Sequence, residues 1–138
     1  MKATLDTNVL MSGIFFGGVP GRVLEAWRDD RFKWFVTADI IDEYREVSER
    51  LHRKVPRIDP RGWIALIEDE ATSIVPKDLT NPVCEDPDDD KFVACALASD
   101  AIIVSGDHHL LDVNGRSGIC VRKPRDFLDD LPPTNVRT

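Results

Sequence analysis

The chain has 138 residues, of which 25 are acidic and 18 are basic, and its formal net charge is −7. This length suits one domain with a sizeable apolar core, while the acidic balance excludes binding to nucleic acid through net charge alone. Three cysteines without a Cys-x-x-Cys spacing, and no apolar run near the roughly 18 residues of a membrane span, indicate a cytoplasmic protein without disulfides, structural zinc or membrane contact.

Strand-like and helical patterns alternate through the first half of the chain. In chain order we predict a strand, a short helix or turn, a helix, a second strand and an amphipathic helix: Lys2–Leu5, Val9–Phe16, a helix from about Pro20, Trp34–Val36 and Ile40–Leu51. Thr37 or Asp39 is suited to cap the amphipathic helix, which should end near Val55-Pro56.

The alternation continues through the second half, where Asp59-Pro60 and Asp86-Pro87 each supply a cap residue followed by a proline that opens a helix. The other predicted elements are three strands, a helical turn and a terminal turn: Ser73–Val75, Ala101–Val104, Ile119–Val121, His108–Leu111 and Pro124–Leu128. This order predicts an α/β fold, a three-layer α/β/α sandwich with a largely parallel central sheet. We expect one domain over residues 1–131 and a loose tail over 132–138.

Two aspartates, Asp6 and Asp107, each follow a predicted strand directly. Either one alone is typical of a turn or a helix cap. Ligands of parallel sheets bind at the carboxyl ends of the strands, near a switch in strand order. The two carboxylates together therefore indicate a shared ligand, most simply a cation.

Further acids lie on predicted helices. Glu43 falls within the apolar stripe of the helix Ile40–Leu51, either inside it or at its edge with the carboxylate reaching water. The run Asp86–Asp90 lies at a helix start, where acids cap amides and offset the helix dipole. Asp90 comes three residues before Val93, which places it on the inward face, and we expect it to point toward the same strand ends.

These pieces together resemble PIN-domain ribonucleases. The likeness rests on Asp6-Thr7-Asn8 after the first strand, Glu43 within its stripe, Asp-Pro-Asp-Asp-Asp-Lys-Phe-Val-Ala-Cys-Ala at 86–96, and Ile-Val-Ser-Gly-Asp at 103–107. It covers nearly the whole chain. The similarity is greatest to the compact prokaryotic PIN proteins that form the toxin component of toxin–antitoxin pairs, relatives of the VapC toxins.

The resemblance implies which residues form the site. The catalytic and metal-binding acids would be Asp6, Glu43, Asp90 and Asp107, with Asp88 and Asp89 as nearby substitutes for Asp90. The amide of Asn8 and the hydroxyls of Thr7 or Ser105 would hold carboxylates in place. His109 departs from the pattern, since relatives often carry another acid there, and this puts a second metal position in doubt.

The resemblance also implies an activity. Hard oxygen ligands suit Mg²⁺ or Mn²⁺, and a metal-bound water would attack an RNA phosphodiester in line to leave a 5′-phosphate. The implied partners are an RNA substrate, a cognate antitoxin protein and a second copy in a homodimer. Possible RNA contacts are the exposed bases Arg50, Arg53, Lys54 and Arg57, and possible protein contacts are the apolar residues Phe15, Phe16, Trp27 and Trp63.

Several alternatives stand beside this hypothesis. A non-catalytic PIN-like protein that binds RNA or a partner would carry the same fold. A haloacid-dehalogenase-like phosphatase is disfavoured, because it needs an acid where this chain has Asn8, and Gly17-Gly18 lacks the dinucleotide-binding spacing. His108-His109 fits a loop pair better than a metal site, since adjacent residues rarely converge on one ion.

Overall fold

The computed structural model describes residues 1–132, in which five strands and seven helices alternate. The strands are β1 (Lys2–Leu5), β2 (Lys33–Val36), β3 (Thr72–Ser73), β4 (Ile102–Val104) and β5 (Val121–Arg122). The helices are α1 (Thr7–Phe16), α2 (Gly18–Arg28), α3 (Ala38–Lys54), α4 (Arg61–Glu70), α5 (Asp90–Ser99), α6 (His108–Leu111) and α7 (Pro124–Asp130). A 3₁₀ turn, Pro87–Asp89, runs directly into α5.

The five strands form one sheet in the order β3-β2-β1-β4-β5, and every pairing among the described residues is parallel. β1 pairs with β2 on one side and with β4 on the other, with Leu5 opposite Val104. The chain therefore leaves β1 in one direction across the sheet and returns to its other side. This switch in strand order lies where β1 and β4 end, which is where ligands of such sheets bind. The prediction of an α/β/α sandwich is confirmed.

Local sequence explains where the helix that carries Glu43 begins and how it docks. The Thr37 hydroxyl accepts a hydrogen bond from the Ile40 amide and caps α3, as one of the two predicted cap residues. Within α3, Ile40 and Tyr44 are fully buried, and the Tyr44 hydroxyl donates to the carbonyl of Leu5 at the end of β1. That bond fixes the adjacent residue, Glu43, beside the end of β1.

The core is built around aromatic side chains that the sheet and helices share. Trp34 on β2 meets Trp27 edge to face, with ring centroids 4.9 Å apart, and also contacts Tyr44 at 6.0 Å. α5 packs on β1, β2 and β4 and buries Phe92 and Val93 against them. Between residues 1 and 132 no helix is long and apolar enough by itself to cross a membrane; α1 and α2 reach that level only as a joined pair bent by 99°.

Three chain segments differ from their predicted extent. β3 ends at Ser73, and Val75, which we expected in that strand, is 84% exposed. β5 covers Val121–Arg122 rather than Ile119–Val121, because a turn ending in Gly118, with φ of 84°, delays the strand. In the expected tail, the carbonyl of Pro132 accepts a hydrogen bond from Arg31, and positions 133–138 lie outside the described residues.

Candidate active site

Asp6 is held between the ends of the two central strands. Its main-chain N–H donates to the carbonyl of Val104 over 3.0 Å, and its own carbonyl accepts from the first turn of α1. The carboxylate makes no capping bond to that helix. Instead, Oδ2 accepts a hydrogen bond of 2.8 Å from the Ser105 hydroxyl, and the residue is only 4% exposed. The hydrogen bond of the Asp6 carboxylate is thus made to Ser105, beyond the end of β4, and not to the start of its own helix.

The charge of Asp6 is unfavourable in the absence of a cation. Burial raises its pKa most strongly, and the nearby carboxylates of Asp107 and Glu43 raise it further, while the hydroxyl of Ser105 and the main-chain N–H of Asn8 act against them. The raising effects outweigh the lowering ones, so the pKa of Asp6 is raised. The side chain of Asn8 is exposed, so its effect on the pKa of Asp6 comes from its main-chain N–H. A cation bound here would remove the penalty.

Asp107 approaches the same point from β4. Its Oδ1 accepts the His109 amide over 2.9 Å and caps α6, while its own amide donates to the Ser105 hydroxyl, also over 2.9 Å. Ser105 is fully buried and therefore contacts both aspartates. The two acids that follow β1 and β4 are brought together through one hydroxyl.

Glu43 lies beside this pair, but both of its oxygens are already engaged. Oε2 accepts a hydrogen bond from the Thr7 hydroxyl, and Oε1 accepts one of 2.7 Å from the ammonium of Lys91. Burial acts to lower the pKa of Lys91, but the hydrogen bond and the negative charge of Glu43 outweigh it, and the pKa is raised. Lys91 is therefore a charged neighbour of the acidic cluster.

The carboxylate of Asp90 is bonded to the main chain of the loop before α5. It accepts hydrogen bonds from the amides of Val83, at 3.1 Å, and Cys84, at 2.7 Å. These bonds fix the loop before α5. Asp90 is the first residue of α5, as the helical spacing predicted, but its carboxylate serves as the acceptor for these loop amides.

Asp89 is the residue of this run that faces the site. Burial raises its pKa to about 6, with further contributions from the charges of Asp107 and Asp6. Its buried Oδ2 has no hydrogen-bond partner among the described residues. Asp88 is exposed, and its amide donates to Asp86, which caps the turn. Of the two substitutes for Asp90, burial and charge therefore favour Asp89, which lies near enough to Asp6 and Asp107 for their charges to raise its pKa.

An open cleft of about 590 Å³ adjoins Asp107 and is lined by Asn8, Val9, Ser12, Pro20, Asp86, Gly106, Asp107, His108, His109 and Pro124. Possible metal-binding atoms of Asp107, His108 and His109 lie within 4.8 Å of one another. Adjacent histidines thus converge here more than their spacing suggested. The buried Nδ1 of His109 has no hydrogen-bond partner among residues 1–132.

Basic residues lie in two places relative to this cleft. Arg50, Arg53, Lys54 and Arg57 are exposed at the far end of α3 and in the turn after it. At 1.5 Å per residue, that end lies about 10–17 Å along the helix from Glu43. Lys123 and Arg125 are also exposed, and they flank Pro124 in the cleft wall. Among the apolar candidates, Phe15 and Trp27 are buried and Trp63 is half-buried, whereas Phe16 is 82% exposed.

Comparison with known proteins identifies the family. A family model of the PIN domain matches residues 2–109. The chain therefore belongs to the PIN domain family, whose members are generally nucleases and usually use divalent metal ions.

Two individual relatives extend over nearly the whole chain. An uncharacterized protein of Methanocaldococcus jannaschii, MJ1680, is 28% identical over 143 residues, covering 95% of this chain and 92% of its own length. The crystal structure of VapBC2 from Rickettsia felis bound to a DNA fragment from their promoter contains a chain with the same fold. The TM-score is 0.61 at 11% identity, over 89% of this chain and 98% of that one.

Proposed function

We propose that this protein is a metal-dependent endoribonuclease that hydrolyses RNA phosphodiester bonds and is the toxin of a toxin–antitoxin pair. The observation that carries the proposal is that the buried carboxylate of Asp6, after β1, shares the Ser105 hydroxyl with the amide of Asp107, after β4. The pKa values of Asp6 and Asp89 are raised, chiefly by burial and further by neighbouring carboxylates. Carboxylates buried together are unfavourable unless a cation joins them. The fold class alone would not specify this chemistry.

The three aspartates fit a hard divalent ion. They offer only oxygen atoms, and the buried Oδ2 of Asp89 has no other hydrogen-bond partner among the described residues. Asp6, Asp89 and Asp107 would hold Mg²⁺ or Mn²⁺, which would stabilise charge on a phosphate and lower the pKa of a bound water. Ser105 fixes the directions of Asp6 and Asp107. Glu43 would act from the side, positioned by Thr7 and Lys91.

RNA would reach the acids through the cleft beside Asp107. The cleft is open, has a volume of about 590 Å³ and is lined by Asp107. Arg50, Arg53, Lys54 and Arg57 remain candidate contacts for a longer RNA, while Lys123 and Arg125 are the sequence neighbours of Pro124, which lines the cleft. Local positive charge of this kind allows phosphate binding by a chain whose net charge is −7.

An antitoxin protein and a second copy of the chain are the proposed protein partners, in the cytoplasm. The fold shared with a chain of VapBC2 supports the first. The ring of Phe16, 82% exposed at the end of α1, supports a protein contact at that corner. A non-catalytic role in binding RNA or a partner is the alternative, and it shares every feature of the fold.

Cleavage of a mixed set of labelled RNAs by the purified protein tests the proposal, with Mn²⁺, Mg²⁺ or EDTA and with Asp6→Asn in parallel. We expect cleavage that needs the metal and is lost in the variant, which should remain folded because the substitution removes an unfavourable buried charge. Metal-independent cleavage, or equal cleavage by Asp6→Asn, would point to a contaminant. Absence of cleavage by folded, metal-bound protein would favour the binding role.

A further inference from the structure

Lys91 is the one lysine or arginine within residues 1–132 that forms an ion pair with an acid of the cluster, while the imidazole of His108 lies 3.8 Å from Asp107. Its Nζ lies 2.7 Å from Oε1 of Glu43, and the two side chains are only 22% and 23% exposed. The other oxygen of Glu43 accepts the Thr7 hydroxyl. A metal ion that bound Glu43 would have to share an oxygen with the Lys91 ammonium or with the Thr7 hydroxyl.

Three consecutive residues at the start of α5, Asp89, Asp90 and Lys91, have side chains in three different environments. Asp89 has a buried Oδ2 without a hydrogen-bond partner among the described residues, Asp90 bonds the loop amides, and Lys91 reaches Glu43. Successive helical residues are turned by about 100°, so a single rigid turn holds Asp89 and Lys91 in different directions. The ammonium is thus fixed on the Glu43 side of the cluster.

We propose that Lys91 takes the place of one metal ion, so that the centre binds a single divalent ion on Asp6, Asp89 and Asp107 while Glu43 serves as a positioning residue. This inference rests on the proposed function, because it concerns the same acids. An ammonium is a compact point charge with three donors and can neutralise a carboxylate as part of the protein.

Charge supports a single ion. Asp6, Glu43, Asp89 and Asp107 carry up to four negative charges when ionised, and one divalent ion with Lys91 supplies three positive charges. A second ion beside the ammonium would meet repulsion at short range. Removing the ammonium should therefore create a second place for a metal, at the unpaired carboxylate of Glu43.

The test is calorimetric titration with Mn²⁺, supported by electron paramagnetic resonance to count free Mn²⁺. Wild type is compared with Lys91→Met and with Lys77→Met, a matched control that removes the same charge from the same 490 Å³ cleft beside α5. We expect one equivalent for wild type and Lys77→Met. For Lys91→Met we expect a second equivalent, or binding at least about tenfold tighter. Mn²⁺ should also raise the melting temperature of Lys91→Met more than that of wild type, since it would compensate the unpaired Glu43.

Two equivalents in the wild type, or wild-type stoichiometry and affinity in Lys91→Met, would overturn the inference. Asp6→Asn is titrated in parallel to separate this failure from that of the proposed function. If Asp6→Asn binds Mn²⁺ as the wild type does, or the wild type binds none, the acidic centre is not the metal site and both proposals fail. Loss of binding in Asp6→Asn with no change in Lys91→Met overturns only the role of Lys91.

Discussion

The hydroxyl of Ser105 donates a hydrogen bond of 2.8 Å to Oδ2 of Asp6, across 99 positions of sequence. The hydroxyl oxygen of Ser105 also accepts a hydrogen bond from the main-chain N–H of Asp107. One buried side chain therefore sets the distance between the acids that follow β1 and β4. The parallel pairing of those strands makes the contact possible, because it brings both carboxyl ends to one edge of the sheet.

Ser105→Ala should weaken Mn²⁺ binding by about tenfold, the lower end of what partners of metal ligands contribute. Both aspartates lose the group that orients them, and the pKa of Asp6 should rise further because the hydroxyl bond lowers it. Calorimetric titration measures the effect. Ser99→Ala is the control, since its buried hydroxyl bonds the Cys95 carbonyl at the other end of α5. Equal Mn²⁺ affinities in the two variants would argue against the positioning role.

Asp89→Asn should stabilise the protein in EDTA. Burial and the charges of Asp107 and Asp6 raise the pKa of Asp89 from 3.8 to about 6, so the native state binds more protons than the unfolded state between these values. Stability is therefore lost as pH rises through that window. Allowing for solvent screening, we expect Asp89→Asn to gain about 1–2 kcal/mol at about pH 7.5 and little near pH 4.

Urea unfolding at the two pH values measures this gain, with Asp88→Asn as a control for the exposed neighbour. Saturating Mn²⁺ should reverse the order, since the wild type binds the ion and the variant lacks a ligand. A stability gain of the same size at both pH values, or none at the higher pH, would show that Asp89 is not a buried acid.

Asp90→Ala should destabilise the fold and leave the metal site intact. The amides of Val83 and Cys84 lose their acceptor, which should lower the free energy of unfolding by about 1–3 kcal/mol. Urea unfolding and Mn²⁺ titration separate the two effects. If Asp90→Ala instead abolishes Mn²⁺ binding at unchanged stability, Asp90 is a metal ligand, as the family resemblance first implied.

RNA binding should depend on Lys123 and Arg125 more than on the basic side chains of α3. The measurement uses Asp6→Asn, which should bind RNA without cleaving it. In this background, replacing Lys123 and Arg125 with alanine should reduce the slope of log Kd against log salt concentration by about 1.4, the value for two phosphate contacts with a single strand. Arg53→Ala with Lys54→Ala removes equal charge from the far end of α3 and should change the slope little. Fluorescence anisotropy measures both, and the opposite order would place the RNA along α3.

Much of the fold follows from local sequence. The starts of helical segments are predicted by Thr37, Asp59-Pro60 and Asp86-Pro87. The short apolar runs between the helices predict the strands. The aspartates after β1 and β4 were identifiable because they directly follow strands whose order brings them together. β5 was misplaced by two residues because the turn before it depends on a positive φ at Gly118.

The position of Asp89 and the role of Lys91 were beyond sequence patterns for physical reasons. Asp89 ends a 3₁₀ turn that precedes α5, and the apolar spacing of α5 does not predict the direction of a side chain outside the helix. The pair of Lys91 and Glu43 joins residues 48 positions apart on two helices. Such a contact depends on how α3 and α5 pack. Its only signal in the sequence is the position of Lys91, a basic residue directly after a run of aspartates.

The most direct test of the central claim compares metal-dependent RNA cleavage by Asp89→Asn and Asp88→Asn under saturating Mn²⁺. The two variants remove the same charge from adjacent positions, one facing Asp6 and Asp107 and the other exposed. We predict that Asp89→Asn loses at least about 100-fold in kcat/KM, or roughly 2.7 kcal/mol, while Asp88→Asn stays within about twofold of wild type. Wild-type cleavage by Asp89→Asn, or equal losses in both, would contradict an active centre built from Asp6, Asp89 and Asp107.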